Sequence, residues 1–276
     1  MFCDYHTHTV FSDDSNYPME ECVKDAISLG IKEICFTDHV DYGVKYDLKD
    51  LKPEEVEGKV LNVDFEKYFP EIERVKELYK DKISIKTGLE FGVQKHTIPQ
   101  YEELLKKYPF DFIIMSVHEI DNKELWDHSF QNGKTEAEYY RLYFENIYYL
   151  VQNFHNYSVL GHLDLLKRYD EKDGYNPFVE NKEIITKILK YVIADGKGIE
   201  LNTSTKKYHL DDLMPSKDIL KLYLELGGEI LTIGSDSHCK KDLTNSHIEE
   251  LKQELRDIGF KKFCTFEKMK PIFHEL

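Results

Sequence analysis

Basic residues are in short supply in this chain: 37 lysines and arginines stand against 52 aspartates and glutamates, a formal net charge of −15. A surface of that sign repels phosphate backbones, so nucleic acid is not expected as a partner. Cysteine is sparse too. The five present form no C-x-x-C pair and no regular spacing, which argues against a disulfide framework. No apolar run nears the roughly 18–20 residues of a membrane span, and nothing at the start reads as a signal peptide. The expectation is a cytoplasmic chain without a membrane partner. Low-complexity tracts, short repeats and Gly/Ser-rich linkers are missing as well. None of this excludes a small phosphorylated substrate, because metal ions in a pocket invert the local sign of charge.

What is there suffices for a full core: 276 residues, 41% of them hydrophobic, with nineteen tyrosines and sixteen phenylalanines. Short apolar runs alternate with amphipathic helical patterns, the mark of an α/β fold with a mostly parallel sheet. Strands are expected at 2–6, 33–37, 83–87, 112–117, 158–160, 199–201 and 229–233. Helices are expected from Pro18 to Leu29, over 65–79, near Pro99, and over 136–154, 182–195, 216–227 and 246–258. Asn16 or Ser15 caps the first of them and Thr135 the long aromatic one. The polar excursion from Val40 to Asp64 reads as a lid or substrate-binding loop. The apolar tail at 263–266 reads as an eighth strand or a plug. Seven βα units in this length favour a barrel over an open sheet, with residues 1–276 as a single domain. Such barrels carry their chemistry at the C-terminal ends of the strands.

Those ends are where histidine and acids collect. His6 and His8 share a face of the first extended segment, and later strands run into His39, Glu90, His118, His162, Asp236 and His238, with Asp13 and Asp14 in the first loop. Imidazoles and carboxylates without thiolate suit zinc, manganese or iron. Nine ligands are too many for one ion and suit three. Two ions roughly 3.5–4 Å apart can share a carboxylate and a hydroxide, the arrangement that hydrolyses phosphate esters. Three carboxylates do not cancel three dications, so the site stays positive inside an acidic protein. Asp38 reads as a turn or supporting residue beside His39, and Asp164 as a group orienting His162.

His6-Thr7-His8, Thr37-Asp38-His39, Gly88-Leu89-Glu90, Ser116-Val117-His118, Gly161-His162-Leu163-Asp164 and Gly234-Ser235-Asp236-Ser237-His238, in this order, resemble the PHP (polymerase and histidinol phosphatase) superfamily. At this length the chain most resembles its monofunctional histidinol-phosphate phosphatases. The resemblance implies a distorted seven-stranded (β/α) TIM-like barrel and a trinuclear metal centre. His6, His8, Glu90 and Asp236 would hold the first ion, and Glu90 would bridge to a second completed by His118 and His162. His39 and His238 would hold the third with Asp14, preferred over Asp13 because the Phe11–Ser15 stretch resembles the phosphatases. Arg168 and Lys207 stand where the family has basic phosphate-binding residues; many relatives have arginine at Lys207, and lysine lacks the bidentate fork. Ser204 joins them as a phosphate-binding candidate. Glu90, His118, Asp236 and Arg168 are the catalytic expectations.

The implied activity is hydrolysis of L-histidinol phosphate to L-histidinol and phosphate, a step of histidine biosynthesis, and leaves room for a homo-oligomer. The alternative is a PHP-type phosphoesterase acting on another small phosphate or a nucleotide end. Other classes remain as rivals: a metal hydrolase that cleaves C–N bonds, or a metal-storing module that keeps the ligands without turnover.

Overall fold

The computed structural model describes residues 1–170 and 174–276. β-Branched and aromatic runs form strands where a helix can cover their outer face. The chain runs β1 (Cys3–Thr7), α1 (Met19–Ser28), β2 (Glu33–Phe36), β3 (His39–Val40), α2 (Phe65–Tyr79), β4 (Ser84–Gly92), α3 (Ile98–Lys107) and β5 (Phe112–Ser116). It continues through β6 (Glu119–Ile120), β7 (Lys123–Glu124), α4 (Glu136–Asn153), β8 (Val159–Leu160), α5 (Pro177–Ala194), β9 (Gly198–Asn202), α6 (Lys217–Glu225) and β10 (Leu231–Gly234). Two helices, α7 (Lys240–Thr244) and α8 (Ile248–Ile258), and the strands β11 (Lys262–Glu267) and β12 (Lys270–Glu275) close it.

Seven parallel strands lie in the order β1-β2-β4-β5-β8-β9-β10, with β3 paired beside β4, and the sheet curls into a nearly closed barrel. The seam falls between β10 and β1. Among the described residues it is bonded at the strands' C-terminal tips, where the His8 amide donates to Ser237 O and the Asp236 amide to His6 O, each at 2.8 Å. Buried Asp4 latches the same seam by accepting from the Ser235 amide at 2.9 Å and from its hydroxyl at 2.5 Å.

At the other end of the strands the tail forms an antiparallel hairpin, not an eighth barrel strand. Lys268 and Met269 both have positive φ, the geometry of a tight two-residue turn. Phe266 packs on Phe112 with ring centroids 5.1 Å apart, and its amide donates to the Tyr5 hydroxyl at 2.8 Å. Tyr5 in turn donates to Glu33 at 2.5 Å. Each fully buried aromatic of this kind contributes on the order of 2–3 kcal/mol.

Helix ends follow local chemistry. Thr135 accepts from the Glu138 amide and Glu138 returns the bond, a reciprocal cap. α1 has no side-chain cap: Pro18 precedes it, and Ser15 instead donates to the His238 carbonyl at 2.8 Å. α5 begins five residues earlier than the pattern suggests, because Asn176 caps the Val179 amide and Pro177 opens the first turn. β4 is longer than expected and carries Glu90 within it, so that acid is a strand residue paired with His39 and Ile114, not one that follows a strand.

Candidate metal and phosphate site

The barrel's C-terminal mouth opens into a cavity of about 500 Å³. Glu90 sits at its base, fully buried. One carboxylate oxygen lies 3.1 Å from His6 Nε2, 3.1 Å from His39 Nδ1 and 3.5 Å from His8 Nε2. The other lies 2.8 Å from His162 Nε2 and 3.2 Å from His118 Nε2. Asp236 closes a second side, with Oδ1 3.5 Å from His8 Nε2 and 3.7 Å from His6 Nε2. Its φ of +57 is a left-handed conformation that costs a non-glycine residue and here turns the carboxylate inward. Asp14 meets His238 Nε2 at 3.0 Å and His39 Nε2 at 3.6 Å. Asp13 is drawn aside by an ion pair with Lys45. His39 is shared, grouping with Glu90 and His118 on one side and with His8 and His238 on the other.

The imidazoles are aimed by their outer nitrogens. Nδ1–H of His6 donates to Glu200 at 2.6 Å, that of His118 to Asp41 at 3.0 Å, that of His238 to the Asp236 carbonyl at 2.9 Å, and that of His8 to Ser12 at 3.1 Å. Asp38 holds Ser12 by accepting its hydroxyl at 2.8 Å, so Asp38 supports His8 from behind. In each case the lone pair of Nε2 is left for the interior. Asp164 does not play this part for His162; it accepts from Lys167 and from the Ser216 amide. Gly234 makes the His6–Glu200 pair fit, since a Cβ there would overlap both His6 Cβ and Glu200 Oε1.

His6 Nε2, His8 Nε2, His39 Nδ1 and Glu90 Oε2 are buried and have no hydrogen-bond partner. Four orphaned polar atoms facing one space would be costly unless a ligand satisfies them, and the donor set fits divalent cations with nitrogen and oxygen ligands. The charges agree. Burial opposes ionisation of Glu90, but His6, His118 and His39 hold its carboxyl well below the usual range. Asp236 is likewise held low against its burial, chiefly by Arg168 and His6. At His6 the neighbouring Glu200, Glu90 and Asp236 overcome burial and push the imidazole up, so the pocket draws positive charge. His8, buried beside His238 and His39, is pushed down and stays neutral.

Arg168 lies at one edge, donating to Asp236 at 2.5 Å and to Ser204 at 2.8 Å, with its guanidinium 4.3 Å over the Tyr208 ring. Its Nε has no partner. Lys207 lines the cavity but is tied to Asp242 at 2.8 Å. Ser204 is buried and off the cavity wall; it accepts from Arg168 and donates to Asn202 at 2.6 Å. Sequence reasoning passed over Glu200, Asp41 and Lys45. Glu200 lies within β9 and not after it, so an acid inside an otherwise apolar run is its one signal in the sequence. Asp41 follows His39 by two residues, a spacing that could have suggested a supporting role.

The PHP domain family model matches residues 4–204. The histidinol-phosphatase of Lactococcus lactis subsp. lactis is 36% identical over 273 residues, covering 97% of this chain and 95% of that one. The crystal structure of histidinol phosphate phosphatase from the same organism, complexed with zinc, L-histidinol and phosphate, has a TM-score of 0.84 at 34% identity and covers 98% of both chains. A solved structure from Listeria monocytogenes has a TM-score of 0.72 over 89% of this chain and 98% of its own; at 21% identity it speaks for the fold alone. By motif order, barrel and end-to-end similarity, this chain belongs to the PHP domain family.

Proposed function

We propose that this chain hydrolyses L-histidinol phosphate to L-histidinol and phosphate, a step in histidine biosynthesis, with residues 1–276 acting as one catalytic domain. The observation that carries the reading is the convergence of orphaned imidazole and carboxylate atoms beside Arg168, in a chain matched end to end by a histidinol-phosphatase. Zinc, L-histidinol and phosphate in the structure of that relative support the same substrate and metal here. In this reading three divalent cations, zinc, manganese or iron, are held by His6, His8, Glu90 and Asp236, by Glu90, His118 and His162, and by His39, His238 and Asp14. Bound there, they supply Lewis-acid polarisation of the phosphoryl group and activation of the attacking water. No helix among the described residues is long and apolar enough to cross a membrane, and a cytoplasmic location accords with five unpaired cysteines.

The chain's own residues do the positioning. Arg168 lines the cavity and offers its guanidinium to a phosphoryl oxygen while Asp236, Ser204 and Tyr208 fix its plane. Lys207 adds charge at the rim without the fork. Glu200, Asp41 and Ser12 keep His6, His118 and His8 in the tautomer that faces inward. Catalysis then rests on orientation and on stabilising the charge carried by the phosphoryl and leaving oxygens. The test is to count metals per chain and then measure phosphate release from L-histidinol phosphate beside an aryl phosphate and single-stranded DNA. Preference for L-histidinol phosphate is expected; preference for either of the others would overturn the assignment.

A further inference from the structure

Asp13 and Asp14 are neighbours in sequence and both line the cavity, yet only Asp14 meets His39 and His238. What separates them is Lys45. Its side chain is only 12% exposed, and its ammonium pairs with Asp13 and, at 2.7 Å, with Asp41 Oδ2. The other oxygen of Asp41 takes Nδ1–H of His118 at 3.0 Å. One lysine thus spans the loop after β1 and the loop after β3. Lys45 is itself held. Its amide donates to the Asp41 carbonyl at 2.9 Å, and the neck of its loop is closed by the Tyr46 amide on Val60 O at 3.0 Å and the Asn62 amide on Tyr46 O at 2.9 Å. The Asn62 side chain accepts from the Asp41 amide at 2.8 Å and donates to Asp47 at 3.0 Å. Gly92 leaves space for Asp41, since a Cβ there would stand 2.0 Å from Asp41 Oδ1 and 3.0 Å from His118 Nδ1. The ammonium is therefore a fixed point, and Asp13 turns inward only by breaking the pair.

The chemistry of the two acids offers no other reason for the choice. They carry the same carboxylate one position apart, and a divalent cation with nitrogen and oxygen ligands accepts either. Taking a carboxylate away from a largely desolvated ammonium is costly, because it strands the charge left behind. Asp13 stays on Lys45 for that reason, and Asp14 is left for His39 and His238.

Resting on the three-cation reading above, we propose that Lys45 is a positioning residue that selects the third-site ligand: by clamping Asp13 it withholds one carboxylate and leaves Asp14 to hold the cation. The test is a suppression experiment on zinc-loaded protein, with zinc counted per chain by atomic emission after gel filtration. Wild type and D13N should each carry three ions. D14N should carry two, because Asp13 is not free to replace the lost ligand. Adding K45M to D14N releases Asp13 and should restore the third ion, whereas adding K45R keeps the clamp and should not. D13N placed on top of D14N and K45M should return the count to two, which assigns the restored ion to Asp13. A lysine that only fills space would not give an ion back when removed. K45Q repeats the test with a neutral polar side chain where K45M does not fold. D14N remaining at three, D13N falling to two, or D14N with K45M remaining at two overturns the selector and leaves the three-cation reading intact. A wild type that holds fewer than three ions overturns both.

Discussion

His6 Nδ1 lies 2.6 Å from Glu200 Oε1, and neither side chain reaches solvent. The carboxylate also accepts the His162 amide at 3.0 Å, so one acid inside β9 sets two of the imidazole-bearing segments. Replacing Glu200 with glutamine keeps the shape but removes the charge that favours the Nδ1–H tautomer. Metal affinity should fall about 10- to 100-fold, read by zinc titration against a competing chelator. Affinity equal to wild type would show that Glu200 is only a packing residue.

Arg168 is an anchored cation of the cavity wall. Its truncation to alanine should lower kcat about 10²- to 10³-fold, the cost of removing one charge-stabilising donor. Lysine should recover a minor part, because it cannot reproduce the planar fork. Steady-state rates at saturating zinc check both; R168K matching wild type would remove the guanidinium geometry from the mechanism.

Chelation should cost stability as well as activity. A cation held at a hundredfold its dissociation constant adds about 2.7 kcal/mol, which for a chain of this size corresponds to roughly 5–10 °C of melting temperature. Excess EDTA, which strips every such cation, should lower Tm by at least that amount, and zinc should restore it. A melting curve indifferent to both would mean that the imidazole cluster holds no ion.

Asp4 gives the seam a pH dependence. Burial pushes its carboxyl up to about 6, against hydrogen bonds from Ser235 and His6 that pull it down. Since the folded value exceeds the unfolded one of about 3.9, its favourable contribution is complete below about pH 4 and is lost as pH rises through 6. The effect is on the order of 3 kcal/mol. In the metal-free chain, D4N should flatten this fall, measured as unfolding free energy in urea between pH 4 and 7.5. Parallel curves for the two proteins would show that Asp4 titrates equally in both states.

Much of the barrel could be read from alternation alone, because each parallel strand is a short apolar run and each helix a periodic one. The positions of His118, His162 and Asp236 followed from that. What resisted reading was set by contacts across the barrel. Glu200 looks like a polar interruption of a strand until His6, 194 positions away, is seen against it. Asp164 sits next to a candidate ligand yet serves Lys167 and Ser216, since adjacency in sequence does not fix which way a side chain turns. The short strands β3, β6 and β7 carry no periodic signal, being two residues each. Ser15 has the chemistry of a helix cap, but α1 begins four residues further on, after Pro18, and the hydroxyl oxygen accepts the Tyr17 amide instead.

The seam between β10 and β1 joins segments more than two hundred residues apart. As the polypeptide leaves the ribosome, the first strand has a neighbour on one flank only, and His6 and His8 wait for Asp236 and His238, which emerge more than two hundred residues later. A chain lacking β10 and the loop after it would contain most of the strands and most of the hydrophobic interior, yet would leave His6 and His8 without Asp236 and His238. Closing the barrel and completing the imidazole cluster are thus one event.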